Sequence, residues 1–337
     1  MELLLPGAAA DMTHGESIDQ ARFDWHFAPL FEELRQSPLF SEAKPLLAHY
    51  TSIPVLEAVL RNNEIWLSNP LYMNDLKEVR FGVTEGVNAF LSSTSIDEAC
   101  QTRERTEKLR QQFQLCYQRF DQHHVIDTYV FCLSEHDRTD DDGLLSMWRG
   151  YGGNGNGAAI VFDAAKINAR DDTPIVIAKV EYASTEMRKE WVSQKVGQFA
   201  KLLLAANVPD DELYIPAHYF FERLKLFALF TKHPGFKEER EWRVAYLPDR
   251  DPNHVLTNMI DYWIGPRGLE PKLKLKIGPI PGIADDDFAL ARIVDRIILG
   301  PTLSNPLARI SIKKMIEKVR PELKDRISGS TIPFRSM

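Results

Sequence analysis

Cysteine is scarce in this chain of 337 residues: Cys100, Cys116 and Cys132 are widely spaced, form no C-x-x-C pair and cannot all be matched in disulfides. That excludes a disulfide framework and points to a reducing compartment, the cytoplasm. Long apolar runs are missing as well, so no segment has the length to span a bilayer, and Met1–Ala10, with Glu2 near its start and no basic residues, makes a poor secretory signal. Positive charge is not in excess: Lys and Arg total 41 against 48 Asp and Glu, a net charge of −7. A protein that coats nucleic acid through a general basic surface is thereby excluded, although a local basic groove is not. No histidine pair has H-E-x-x-H spacing, His123-His124 sits in a polar helix end, and no G-x-S-x-G elbow occurs, so neither a metal site nor a serine hydrolase is expected.

What the chain does have is material for a core, with 44% hydrophobic and 10% aromatic residues. Residues 1–43 read as an N-terminal tail and a clamp segment rich in aromatics (Phe23, Trp25, Phe27, Phe31, Phe40) that closes onto a single domain spanning 44–337. Strands are expected at Leu46–Tyr50, Glu64–Ser68, Thr128–Leu133, Ala158–Phe162, Ile175–Tyr182, Glu239–Leu247, Met259–Ile264, Leu273–Ile277, Ile293–Leu299 and Thr331–Phe334. Helices are expected at Pro54–Arg61 behind a Ser52 cap, from Asp75 toward Leu91 with Asp75 and Glu78 as a capping box, across Ile96–His123 and at Ala308–Val319. Two more, at about 185–230, carry apolar residues at helical spacing and read as an insertion. Strands interleaved with helices in this order mean an α+β fold, not a doubly wound sheet.

Candidate chemistry concentrates in three places. Glu238-Glu239-Arg240-Glu241-Trp242-Arg243-Val244-Ala245-Tyr246 strings charges along an otherwise buried strand, which would put Trp242, Val244 and Tyr246 on one face and Glu239, Glu241 and Arg243 on the other. Two carboxylates and a guanidinium at fixed spacing suit a site that stabilises positive charge beside an anionic ligand; the same pattern suits a solvated Glu–Arg ladder on an edge strand. His49-Tyr50-Thr51 places an imidazole and a hydroxyl on one face of a strand end that feeds a helix, either as ligand contacts or as a core histidine and a cap. Trp148-Arg149-Gly150-Tyr151-Gly152-Gly153 sets two aromatics before a glycine-rich loop, either to stack on a flat ligand or to turn the chain over a core tryptophan. The loop lacks a P-loop lysine and precedes a strand, which rules out P-loop and Rossmann readings. Ser134 reads as a structural hydrogen-bonder.

Taken together, His49-Tyr50-Thr51, Ile65-Trp66-Leu67-Ser68-Asn69-Pro70, Asn74-Asp75, Phe131-Cys132-Leu133-Ser134, Met147-Trp148-Arg149-Gly150-Tyr151 with Gly157, Glu239-Arg240-Glu241-Trp242-Arg243 and Ile298-Leu299-Gly300-Pro301 resemble a bacterial family of domains of unknown function, DUF2971, over about residues 44–335. More distantly, His49-x-Thr51, Tyr151 and Glu241, with Glu239-Arg240-Glu241 as an E-x-E element, resemble the H-Y-E arrangement of ADP-ribosyltransferases. That second resemblance implies a split β-sandwich of two small, mostly antiparallel sheets with NAD in the cleft between them; the helices at about 185–230 are expected to cap one end. It implies Glu241 as the catalytic carboxylate with Glu239 next in line. His49, Thr51, Tyr151, Trp148, Arg243 and Asn74 would hold NAD, and no metal would be involved. The implied activity is cleavage of NAD and transfer of ADP-ribose to an unknown acceptor (protein, nucleic acid or small molecule), in a toxin or phage-defence effector. NAD hydrolysis and a non-catalytic nucleotide- or protein-binding module are the alternatives. Tyr151 departs from the pattern by preceding its strand, and the helical insertion has no counterpart in a minimal transferase.

Overall fold

The computed structural model describes residues 25–36, 40–73, 76–168, 170, 173–265, 268–304 and 306–334. Its strands are β1 (Leu46–Ser52), β2 (Glu64–Ser68), β3 (Tyr129–His136), β4 (Gly157–Asp163), β5 (Ile175–Lys179), β6 (Glu181–Tyr182), β7 (Thr231–Lys232), β8 (Glu241–Tyr246), β9 (Ile260–Gly265), β10 (Gly268–Lys276), β11 (Val294–Leu299) and β12 (Ile327–Gly329). All ladders are antiparallel except β11 with β12 and the small β6–β7 ribbon. The α+β class and the antiparallel bias agree with expectation. β4 lies between β1 and β11 and is buried at every residue, which is why Gly157-Ala-Ala-Ile-Val-Phe reads as an uninterrupted apolar run.

Hydrogen bonding joins ten strands into one sheet, where two separate sheets were expected. The sheet forks at β3. One edge of β3 pairs with β8 from Tyr129 to Ser134; on the other edge, Ser134–His136 pair with Ala48–Leu46 of β1, and Val130 pairs with Ser68 of β2. Between those two contacts β1 and β2 diverge, and the gap opens at Phe131–Leu133.

The helices at 185–230 do not cap one end. Thr185–Ala206 and Tyr214–Phe230 pack with Leu76–Ser92, Thr94–Cys100 and Arg103–Arg119 in one layer, whose core also takes in Val130, Val176 and Ala245 of the sheet. Phe90 stacks on Phe113 at 4.0 Å and meets Phe220 at 5.1 Å, so rings from three helices interlock. The single helix expected over Ile96–His123 is broken at Gln101, which takes a left-handed conformation, and ends in a wide turn over Phe120–His124. The described part of the N-terminal segment packs onto both cores. Phe27 and Phe31 are buried in the helical core and Phe40 in the sheet core, each burial contributing about 1.5–3 kcal/mol, and Arg223 donates to Glu33 at 3.1 Å. Phe23 lies outside the described residues, and Trp25 is exposed. Ser52 caps Ile53–Asn62 as expected, accepting from the Val55 N–H. The proposed Asp75–Glu78 capping box falls outside the described residues and side chains. The last strand forms at Ile327–Gly329 instead of 331–334.

Candidate functional site

The fork in the sheet opens into a cavity of about 370 Å³, within the range of small-molecule sites. His49 comes from β1, Trp66 and Ser68 from β2, Cys132 from β3, Tyr151 from the glycine-rich loop, and Glu239 and Glu241 from the segment entering β8; all line it. Three residue types far apart in sequence, His49, Tyr151 and Glu241, therefore meet in one place.

The E-x-E segment is bent. Glu239 ends a 3-10 turn (Pro234–Glu239), Arg240 is left-handed at φ 43°, and the strand begins only at Glu241, two residues later than expected. The turn brings Glu239 round to the same cavity without a shared strand face. Ser134 Oγ holds it by donating to the Glu239 carbonyl at 2.7 Å, the structural role expected of that serine. The Tyr182 hydroxyl accepts from the Glu241 N–H at 2.9 Å.

Glu241 is buried, which rules out the solvated ladder. Its Oε1 accepts from Arg243 Nε at 2.8 Å and its Oε2 pairs with Lys232 Nζ at 3.1 Å; the same ammonium donates to Glu239 Oε2 at 2.7 Å and lies over the Phe236 ring. Burial by itself would raise the Glu241 pKa, but the charges of Arg243 and Lys232 and a bond from Cys132 outweigh it, so the carboxyl sits below its ordinary value and is anionic at neutral pH. Glu239 is completed by the Tyr151 hydroxyl, which donates to Oε1 at 2.8 Å. Two carboxylates and two cations leave the group close to neutral, while the carboxylates remain on the cavity wall.

His49 Nδ1 lies 3.0 Å from the Cys132 carbonyl, in the gap between β1 and β2, and its ring stacks on Phe131 at 4.2 Å. A carbonyl only accepts, so Nδ1 carries the proton and Nε2 is left as an acceptor. Desolvation drives its pKa down to about 4 despite that bond, keeping the ring neutral. Such an imidazole can accept a hydrogen bond from a ligand hydroxyl at Nε2. Tyr151 is exposed at the mouth and offers a flat ring.

Four expected contacts are corrected or left outside. Arg243 is fully buried, donating to Glu241 and to the Leu229 carbonyl at 2.5 Å, so it positions the carboxylate and does not meet a pyrophosphate. Trp148 is fully buried, donating to the Asp142 carbonyl at 2.8 Å and packing edge-on against Tyr50; it supports the Tyr151 loop from behind. Thr51 is buried in β1 beside Ala158 and does not line the cavity. Asn74 lies outside the described residues, although its neighbour Met73 lines the cavity. The loop itself is held in place: a Cβ on Gly157 would meet the Thr51 carbonyl oxygen at 2.2 Å, and Gly300 N–H donates to the Gly157 carbonyl at 2.8 Å. Gly157 thus makes room for the protein's own backbone, and Gly152 for the Trp148 ring, which a Cβ there would meet at 2.5 Å.

Lys232 was not anticipated, because a lone lysine after an apolar helix carries no spacing signal. The signal available was the pair of glutamates entering a buried strand, which need more countercharge than Arg243 alone. Asn69 was also missed as a support: its amide donates to the Val125 and Thr128 carbonyls at 3.1 and 3.0 Å and fixes the loop toward Met73.

Residues 147–244 match the model of a family described as a protein of unknown function, DUF2971, so the Tyr151 loop, β4 to β7 and the E-x-E segment lie in a DUF2971 region. No curated protein and no solved structure matches the chain. Among the described residues no helix is long and apolar enough to cross a membrane, and no cluster of His, Cys, Asp or Glu could hold a metal ion.

Proposed function

We propose that the forked-sheet cavity binds NAD and that the protein is an ADP-ribosyltransferase-like enzyme, its sheet a joined variant of the split sandwich. One observation carries this reading: His49, Tyr151, Glu239 and Glu241 line one cavity although they come from three separate parts of the chain. Breaking the bond between nicotinamide and ribose develops positive charge at the anomeric carbon. An anionic Glu241 fixed by Arg243 and Lys232 would stabilise that charge without reorganising. Neutral His49 would accept from a ribose hydroxyl, and Tyr151 would stack on the nicotinamide ring. The acceptor of ADP-ribose would enter from the Tyr151 side. A toxin or phage-defence role extends the same reading by family context alone.

A second reading, a nucleotide-binding module without turnover, is favoured by the double salt bridge on Glu241, whose carboxylate is engaged before any ligand arrives. Incubating the protein with NAD labelled in both halves separates the outcomes. Nicotinamide release with label transferred to an added acceptor supports the transferase, and release with free ADP-ribose means a hydrolase. Binding without release means a module. Absence of binding rules out NAD.

A further inference from the structure

A second cavity, of about 110 Å³, is bounded by strand side chains and the turn at 280–288. Among the described residues lining it, only Asn168, Arg170 and Thr173 are polar. Deeper in, the walls are aliphatic and phenyl groups such as Leu47, Ile65, Phe162, Leu275 and Ile293. Among the described residues no donor or acceptor side chain reaches that interior, so a polar ligand group there would stay unpaired; the buried part of any occupant is hydrocarbon. Apolar cavities of roughly 150 Å³ stay dry and take a six-carbon hydrocarbon, which sets the scale. Among the described residues Arg170 is the one charged side chain on the wall, and Asp285 nearby accepts from Asn168 Nδ2 at 3.3 Å. A cation beside an apolar chamber fits an amphiphile with one negative head.

We propose that this cavity binds a short-chain aliphatic carboxylic acid, with the hydrocarbon chain inside and the carboxylate on Arg170. The site is coupled to the first cavity. Phe131 and Leu133 line both, and the Phe131 ring is the one stacked on His49 at 4.2 Å. An occupant pressing on Phe131 therefore alters the setting of His49. The inference is independent of the NAD reading, since its test contains no NAD.

The test is a titration of the full chain with ¹³C-labelled hexanoate, and separately with hexan-1-ol, followed by NMR. Hexanoate should show contacts to the methyl groups of Ile177 and Ile283 and shift the His49 ring signals. Arg170→Ala should weaken hexanoate at least tenfold and leave hexanol unchanged, and Ile283→Trp, filling the chamber from a half-exposed turn, should abolish both. The methyl contacts in the wild type decide the matter even if Ile283→Trp fails to fold. Absence of these contacts at saturating hexanoate, or equal loss of hexanol and hexanoate in Arg170→Ala, would overturn the site. Binding without any change at His49 would overturn the coupling.

Discussion

Replacing Lys232 by methionine keeps the stem of the side chain and removes the ammonium that joins Glu239 to Glu241. Breaking a buried ion pair by deleting one partner costs about 3–5 kcal/mol, because the other charge is left uncompensated. Here part of the network survives. Glu241 keeps Arg243 at 2.8 Å, and Glu239 keeps the Tyr151 hydroxyl at 2.8 Å and lies near the surface. The expected loss is therefore about 2–3 kcal/mol at pH 7, read from urea denaturation. The pH dependence adds a second constraint. The folded-state pKa of Glu241 is depressed, so its stabilisation is fully present above the unfolded carboxyl value of about 4.3 and is lost as pH falls through the lower folded value. Without Lys232 that depression shrinks, so the gap between wild type and variant should narrow below about pH 4. A loss under about 1 kcal/mol at pH 7, or a gap unchanged down to pH 3, would refute the view of Lys232 as the clamp on both carboxylates.

Three further outcomes are expected. His49 should titrate by NMR near pH 4; because folding disfavours its protonated form, stability should fall as pH drops from about 6.5 toward 4, and a midpoint near 6.5 would show an open, solvated ring. Glu241→Gln, expected from volume alone to leave the fold nearly intact, should instead lower stability by about 2–3 kcal/mol, since Arg243 and Lys232 lose their shared charge, while nicotinamide release falls by orders of magnitude; undiminished release would remove Glu241 from catalysis. Gly157→Ala should lower the melting temperature markedly, because its Cβ would lie 2.2 Å from the Thr51 carbonyl oxygen, and an unchanged melting temperature would show that the loop has slack.

Much of the architecture was legible because local signals agreed with burial. Ser52 and Pro54 marked a helix start, and alternation fixed the β8 face that carries Trp242, Val244 and Tyr246. The meeting of His49, Tyr151 and Glu241 followed from resemblance, and the geometry brings them together. What escaped was set by contacts distant in sequence. Arg243 lies at the same parity as Glu241, so sequence placed it correctly on a face but not in the interior, where Leu229 from the preceding helix captures it. Glu239 left the strand because Arg240 adopts a left-handed turn, which no residue preference for glycine or asparagine announced. The single forked sheet could not be foreseen from strand positions, since the fork depends on β1 and β2 sharing one edge of β3 at different heights.

A structure of the protein with NAD bound tests the central claim most directly. The account predicts the nicotinamide ribose seated over Glu239 and Glu241, its ring against Tyr151 and a ribose hydroxyl on His49 Nε2. NAD seated elsewhere, or an empty forked-sheet cavity at saturating NAD, would contradict it.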